Sequence, residues 1–323
     1  MSHTLTGTLR DVGEFALVAA LTEKFEQSGE VLVGPGDDAA VLRAPGEQVL
    51  ASLDMLVQDR HFRLDWSSAI NIGHKAAAEN LSDINAMGGR PTALLVGLGA
   101  PADLDVTWAL DFATGLADEA ATVGASIIGG DLTQADAITI SIAALGRCEH
   151  NVVRRSGAQP GDLVAHAGRQ GWADAGFAVL GRGFRSPRAV VDAHRQPQPP
   201  YSAGPQAAQL GATAMIDVSD GFLQDLGHIA TASRVAIDVE KDRFDLPEPL
   251  QAVGAALGVS PMRFVLTGGD DYGLIATFPA STALPDGWRV VGRVLESAAA
   301  VEPGAVTVDG APYEDPAGHQ HFR

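Results

Sequence analysis

Apolar residues recur along the first third of the chain with more than one period. Between Glu14 and Ser28, Phe15, Leu17, Val18, Leu21 and Phe25 share one face of a helix. Short β-like runs follow at 39–43 and 48–53, and from about Trp66 to Met87 a longer helical pattern places Ile70, Ala77, Leu81 and Ile84 seven, four and three residues apart. Gly88 and Gly89 stop it. TALLVGLG then reads as a buried strand, DLDVTWALDFATGLADEAATVG as a helix, ASII as a short strand and AITISIAALGR as an alternating one.

The turn-rich stretch RRSGAQPGD, 154–162, breaks this pattern and puts a domain boundary near residue 150. Beyond it DLVAHAG, TAMIDV, VAIDVE, YGLIATF and RVVGRV read as strands, and WADAGFAVLGRG and GFLQDLGHIATAS as helices. RSPRAVVDAHRQPQPPYSAG reads as a proline-punctuated connector. The expected architecture is α/β, of the α+β type, in two domains, 1–150 and 151–323.

Composition narrows what such a chain can do. It has 323 residues, a net charge of -18 and three lysines, Lys24, Lys75 and Lys241. That balance argues against a nucleic-acid or anionic-membrane partner, because phosphate backbones are held by clustered Lys and Arg. An acidic protein that handles phosphates needs divalent cations to screen them. Cys148 is the single cysteine, so neither an intrachain disulfide nor a thiolate metal cluster forms. With no basic-then-apolar signal layout at the start and no apolar stretch long enough to span a bilayer, the expected location is the cytoplasm.

The acids gather in compact settings beside glycine or serine: Gly36-Asp37-Asp38, Ser52-Leu53-Asp54, Ser82-Asp83, Gly129-Gly130-Asp131, Asp217-Val218-Ser219-Asp220-Gly221 and Gly268-Gly269-Asp270-Asp271. Read locally, Asp54 ends the strand LASL, Asp131 follows ASII, Asp217 ends AMI and Asp270 follows FVLTGG, a set of carboxylates where strands run out and ligands of open α/β sheets collect. The start of the helix after Asp220-Gly221 reads as free N–H groups for a phosphate. Carboxylates about 4 Å apart repel by roughly 4 kcal/mol at an effective dielectric near 20, so the group calls for cations between them, and Mg²⁺ suits hard oxygen ligands that also meet phosphates. Asp beside Gly is also ordinary turn chemistry, and each cluster alone carries that simpler reading. Asp83 resists it, because it sits inside a helical pattern where no cap is needed. No GxxxxGK[ST] loop, HRD or DFG set, or GxSxG elbow occurs, and GLGAPA at 97–102 is spoiled as a dinucleotide fingerprint by Pro101.

Taken in order, GEF, GPGDDAAVL, SLDMLVQDRHF, NLSDINAMGG, GGDLT, RSGAQPGD, IDVSDGFLQDLGHI, LTGGDDYGL and HQHF resemble the motifs of the thiamine-monophosphate kinases, in the superfamily of aminoimidazole ribonucleotide synthetase. The resemblance implies that superfamily's two-domain fold, a homodimer joined through the N-terminal sheet, and transfer of the ATP γ-phosphoryl group to thiamine phosphate with several Mg²⁺ ions. It implies metal ligation by Asp38, Ser52, Leu53, Asp54, Asp83, Asp131, Asp217 and Asp220, with Asp54, Asp83 and Asp217 central to catalysis. It implies ATP contacts from Gly130, Asp131, Arg155 and Ser219, and thiamine-substrate contacts from His61, Asp270 and Phe322. Two departures stand out: Leu53 replaces a frequent threonine, leaving only its carbonyl as a ligand, and Asp270 replaces a usual glutamate, with Gly273 in place of a second one. The competing readings are another ATP-using enzyme of the superfamily and a non-catalytic nucleotide-binding regulator.

Overall fold

The computed structural model describes residues 31–33, 37, 38, 40–44, 47–295, 302 and 304–319. The helix expected over 14–28 and the substrate residue Phe322 lie outside the described residues.

The first sheet comprises β1 (Val31–Val33), β2 (Ala40–Ala44), β3 (Glu47–Val57), β4 (Arg90–Ala100), β5 (Ser126–Gln134) and β6 (Thr139–Arg147) in the order β1-β2-β3-β6-β4-β5. Only β4 and β5 run parallel. Helices α1 (Ala69–Ala86) and α2 (Val106–Thr122) cover one face. Each has a side-chain N-cap: Ser68 Oγ accepts from Asn71 N at 3.3 Å, and Asp105 Oδ1 accepts from Thr107 N at 2.8 Å. The two helices cross in backbone contact, since a Cβ on Gly73 would lie 2.2 Å from the Phe112 carbonyl oxygen and one on Gly115 2.0 Å from that of Ile70. That close approach seats α1 firmly against the sheet.

Alternation decides what the sheet offers to each side. On β3, Leu50 and Leu56 are buried against α1, and Ser52 and Asp54 stand between them on the same face. Leu53 and Met55 point the other way and are 57% and 50% exposed. The registers Asp54–Ile142–Val96–Gly130 and Met55–Ser141–Gly97–Asp131 carry this parity across the sheet.

The second sheet contains β7 (Leu163–Ala167), β8 (Ala214–Asp217), β9 (Ile237–Val239), β10 (Leu274–Phe278), β11 (Trp288–Val294), β12 (Val306–Val308) and β13 (Ala311–Pro312), in the order β13-β12-β9-β11-β7-β10-β8. Its helices are α3 (Trp172–Gly181), α4 (Arg188–Arg195), α5 (Ala203–Gln209), α6 (Phe222–Ser233), α7 (Glu248–Leu257) and α8 (Pro261–Thr267). Here both faces are covered. Val164, Ile216 and Ile275 pack with Phe222 and Leu226 of α6, while Ala165, Met215 and Ala276 pack with Ala203 and Ala207 of α5 and with Ala86 at the end of α1. The tip of α1 is thus shared by both halves.

Several local expectations change. Strand β3 continues to Val57 and β5 to Gln134, so Asp54 and Asp131 lie inside strands and not at their ends. A polar residue on a one-sided strand does not stop it, because the neighbouring positions keep the apolar alternation. FVLT belongs to α8, and Asp270 occupies the turn before β10. The proline-punctuated connector holds two helices, α4 and α5. Pro187 stands at the N-cap of α4, while Pro197, Pro199 and Pro200 fall between the two helices, and Val190, Val191 and Ala193 give α4 a buried face.

Candidate active site

Where α1 meets the C-terminal end of β8, Asp38, Asp83 and Asp217 bring carboxylate oxygens within 4.8 Å of one another. Each arrives from a different element. Asp38 precedes β2, Asp83 sits in the fourth turn of α1, and Asp217 is the last residue of β8. At that separation each pair of charges repels by about 3–4 kcal/mol at an effective dielectric near 20.

Hydrogen bonds fix the group. Ser82 Oγ donates to Asp217 Oδ2 at 2.7 Å, Ser52 Oγ donates to Asp83 and reaches the Asp38 carbonyl at 3.2 Å, and the Arg155 guanidinium grips Asp38 Oδ1, its Nε at 3.2 Å. The Arg155 backbone N–H donates to Asp37. Asp54 presents its own backbone N–H to Asn80 Oδ1 at 3.0 Å, which holds β3 against α1. Burial pushes Asp217 up to about 7, helped by the Asp38 charge, and Asp37 up to about 6. Burial and the neighbouring Asp54, Asp217 and Asp38 also drive Asp83 well above the usual carboxylate range. Asp38 Oδ2 is buried with no hydrogen-bond partner among the described residues. A hard cation satisfies that oxygen and the mutual repulsion together, so the donor set fits a divalent metal.

The carboxylates open into a cavity of about 880 Å³ whose lining includes Asp54, His61, Lys75, Asp83, Asp217 and Asp220. At its other side Trp66 meets Phe177 edge-on, ring centroids 5.7 Å apart, and His194 at 6.1 Å. Charge and aromatic surface therefore share one space, which suits a ligand with a phosphate and a flat ring system.

The expected residues sort into three groups. Asp38, Ser52, Asp83 and Asp217 meet directly, with Asp54 beside them on β3 and Arg155 bound to Asp38. His61, Ser219, Asp220 and Asp270 line the cavity, with His61 Nδ1 accepting from Val57 N at 2.9 Å and Asp220 accepting from Gln224. Gly130, Asp131 and the Leu53 side chain are not brought in. Three strand spacings, about 14 Å, separate Asp131 from its register partner Met55. The same parity puts Asp131 on the open face with Met55, opposite Ser52 and Asp54, on a strand exposed throughout.

The loop before α6 is narrower in what it offers a phosphate. The N–H groups of Ser219, Asp220 and Gly221, in the loop that leads into α6, are already taken: Asp225 Oδ2 accepts from all three at 3.0–3.1 Å. A carboxylate from the helix's own first turn ties down that loop.

Lys75, Glu79 and Asp225 were given no role by sequence reading, and Asn80 and Ser82 figured only as neighbours of Asp83. The available signal was spacing, because Lys75, Glu79 and Ser82-Asp83 recur every three to four residues on one face of an otherwise apolar helix.

Residues 36–148 match the family described as AIR synthase related protein, N-terminal domain. The thiamine-monophosphate kinase of Mycobacterium tuberculosis is 44% identical over 321 residues, 99% of this chain and 94% of the relative. The chain belongs to the thiamine-monophosphate kinase family. The family's member from Corynebacterium glutamicum is 38% identical, with coverage of 90% and 88%. Among solved structures, AaThiL complexed with AMPPCP and TMP superposes with a TM-score of 0.89 at 30% identity, covering 99% of this chain and all of the other. Family membership therefore embraces both sheets and the carboxylate cluster between them.

Proposed function

We propose that this chain transfers the γ-phosphoryl group of ATP to thiamine phosphate, giving thiamine diphosphate and ADP. The single observation that carries the reading is the orphaned Asp38 Oδ2 within the Asp38–Asp83–Asp217 group, opening into a cavity with an aromatic wall. Its support from kinship is the M. tuberculosis relative's name and the AMPPCP and TMP held by AaThiL.

Asp38, Asp83 and Asp217 would hold Mg²⁺, with Ser52 and Asp54 beside them and Asp220 on the cavity lining, and the ions would supply charge neutralisation for the phosphates. The chain's own residues supply position. Ser52 and Ser82 orient two of the carboxylates, and Arg155 holds the third while keeping a cation near the nucleotide. In-line attack forms a bond from an acceptor phosphate oxygen to the γ-phosphorus as the bond to the β–γ bridging oxygen breaks, and the electron pair leaves with ADP. A phosphate monoester is anionic near neutral pH, so the step requires no strong base. His61, whose Nδ1 is committed to Val57 N–H, serves as a substrate contact.

The open face of the first sheet, with Leu53, Met55 and Leu95 exposed, is the surface we assign to a homodimer. Such a partner would cover the face on which Asp131 lies. We assign residues 1–150 and 151–323 to separate domains, and the reaction to the cytoplasm. The test is ADP release with MgATP across thiamine phosphate, thiamine and other phosphate monoesters, with product identified by mass. Thiamine diphosphate made only from thiamine phosphate is the expected result; equal ADP release without an acceptor overturns the reading.

A further inference from the structure

Lys75 is the cation of this cavity that is withdrawn from water. It is 5% exposed, whereas Arg60, Arg63, Arg182 and Arg263 line the space from exposed positions. Its Nζ donates to Asp270 Oδ2 at 2.6 Å. An ammonium has three donors, and Asp270 is its one hydrogen-bond acceptor among the described residues. A buried ammonium with donors to spare is unfavourable unless another acceptor reaches it.

The two partners differ in freedom. Asp270 is pinned: its N–H donates to Ser219 O at 2.9 Å, its φ is 64°, and a Cβ on neighbouring Gly269 would lie 1.9 Å from the Ser219 oxygen. Lys75 sits on a four-carbon stem on α1, one turn from Glu79 and two from Asp83. It also stands at the junction of the cavity's two surfaces. His194, whose charge state both Lys75 and Asp270 influence, edges onto Trp66, while Glu79 feels Asp54 and Asp270 from the carboxylate side. A ligand whose rings lie on the aromatic wall and whose phosphate turns toward Asp83 passes its anionic oxygens by Lys75.

We propose that Lys75 is a substrate-contacting cation that exchanges Asp270 for a phosphate oxygen of the acceptor, so that discrimination of the phosphorylated acceptor from its unphosphorylated form rests on this swap. The proposal rests on the acceptor assigned above. In the free chain Asp270 holds the ammonium in place. Burial favours the neutral carboxyl of Asp270, but Lys75 outweighs it and holds the group below the usual carboxylate range. On binding, the phosphate takes the ammonium and Asp270 is left for the cationic or hydrogen-bonding part of the ligand.

The experiment compares wild type, Lys75→Met, Lys75→Arg and Asp270→Asn as full chains with saturating MgATP. It measures kcat/KM for thiamine phosphate, and separately the ratio of Kd values for thiamine and thiamine phosphate from Trp66 fluorescence with a non-hydrolysable ATP analogue. We expect Lys75→Met to lower kcat/KM about 100-fold and bring the Kd ratio toward one, with KM for ATP little changed, and Lys75→Arg to recover part of both. Asp270→Asn should raise the ratio, because the competing carboxylate has lost its charge. Lys75→Met with wild-type kcat/KM and only a lowered Tm would make the pair a strut between the two halves and overturn the proposal. A ratio lowered equally by Asp270→Asn overturns it too, and that variant with Lys75→Arg decides the matter if Lys75→Met fails to fold. Wild type that makes no thiamine diphosphate overturns the assigned acceptor instead, a distinguishable failure.

Discussion

In the second sheet, β8 and β10 bury every residue, and adjacent positions such as Met215 and Ile216 feed cores on opposite sides. In the first sheet, β6 alternates buried and half-buried positions, and β5 is exposed along its whole length. The two-sided sheet is a rigid plate on which Asp217 is fixed by its neighbours. The one-sided sheet has room for polar residues on its covered face, and that is where Ser52 and Asp54 stand. A site that needs carboxylates close together draws its fixed member from the first kind of sheet and its supporting polar members from the second.

The largest expected effect tests whether both halves are needed equally. Asp217→Asn and Asp83→Asn should each reduce kcat by about 10³-fold or more, since each removes a charge and an oxygen that we propose holds metal. In metal-free buffer both variants should melt no lower than wild type, because repulsion in the cluster is relieved. Near-normal turnover in either one breaks the picture of a shared centre.

A second contrast is energetic. Phe278→Ala, at a fully buried position packed edge-on against Trp288, should cost about 3–5 kcal/mol in urea unfolding. Met55→Ala on the open face should cost within about 0.5 kcal/mol in dilute monomer. If the open face is a dimer surface, Met55→Glu lowers the sedimenting mass while leaving the circular dichroism spectrum unchanged. A Met55→Ala loss comparable to that of Phe278→Ala in the monomer would mean that the sheet is covered from within the chain.

The smallest effect concerns pH. Asp37 and Asp217 have folded values of about 6 and about 7, raised chiefly by burial above the usual value of 3.8. Groups raised in this way bind protons more tightly when folded, so metal-free stability should fall as pH rises from about 4 to about 7. Saturating Mg²⁺ should reverse the trend, raising Tm by a few degrees at pH 8 and by less at pH 5.5. Equal Mg²⁺ shifts at the two pH values would detach the metal from these carboxylates.

Much of this was legible from periodicity. α1, α2 and α6 follow from the 3.6-residue recurrence of apolar positions, and β4 and β10 from continuous apolar runs. The charged face of α1 was not, because a lone lysine and glutamate in a helical pattern read as its solvent side until the sheet and β8 are known to enclose them. The position of Asp131 inside β5 was hidden for a different reason. Its setting beside Gly129-Gly130 is local information, whereas its face depends on register across three strands and a bulge between β4 and β5. Helices α4 and α5 were hidden because prolines between short helices look like those of a linker.

The hydrogen bond from Ser82 to Asp217 joins residues 135 apart in the chain, and β8 is itself held by β10, further along still. On a ribosome, the residues of the first sheet and α1 therefore emerge long before Asp217, and the nascent chain carries Asp38 and Asp83 without their third carboxylate. Competence arrives only when the second sheet closes against α1. A product truncated before β8 therefore lacks the third carboxylate altogether.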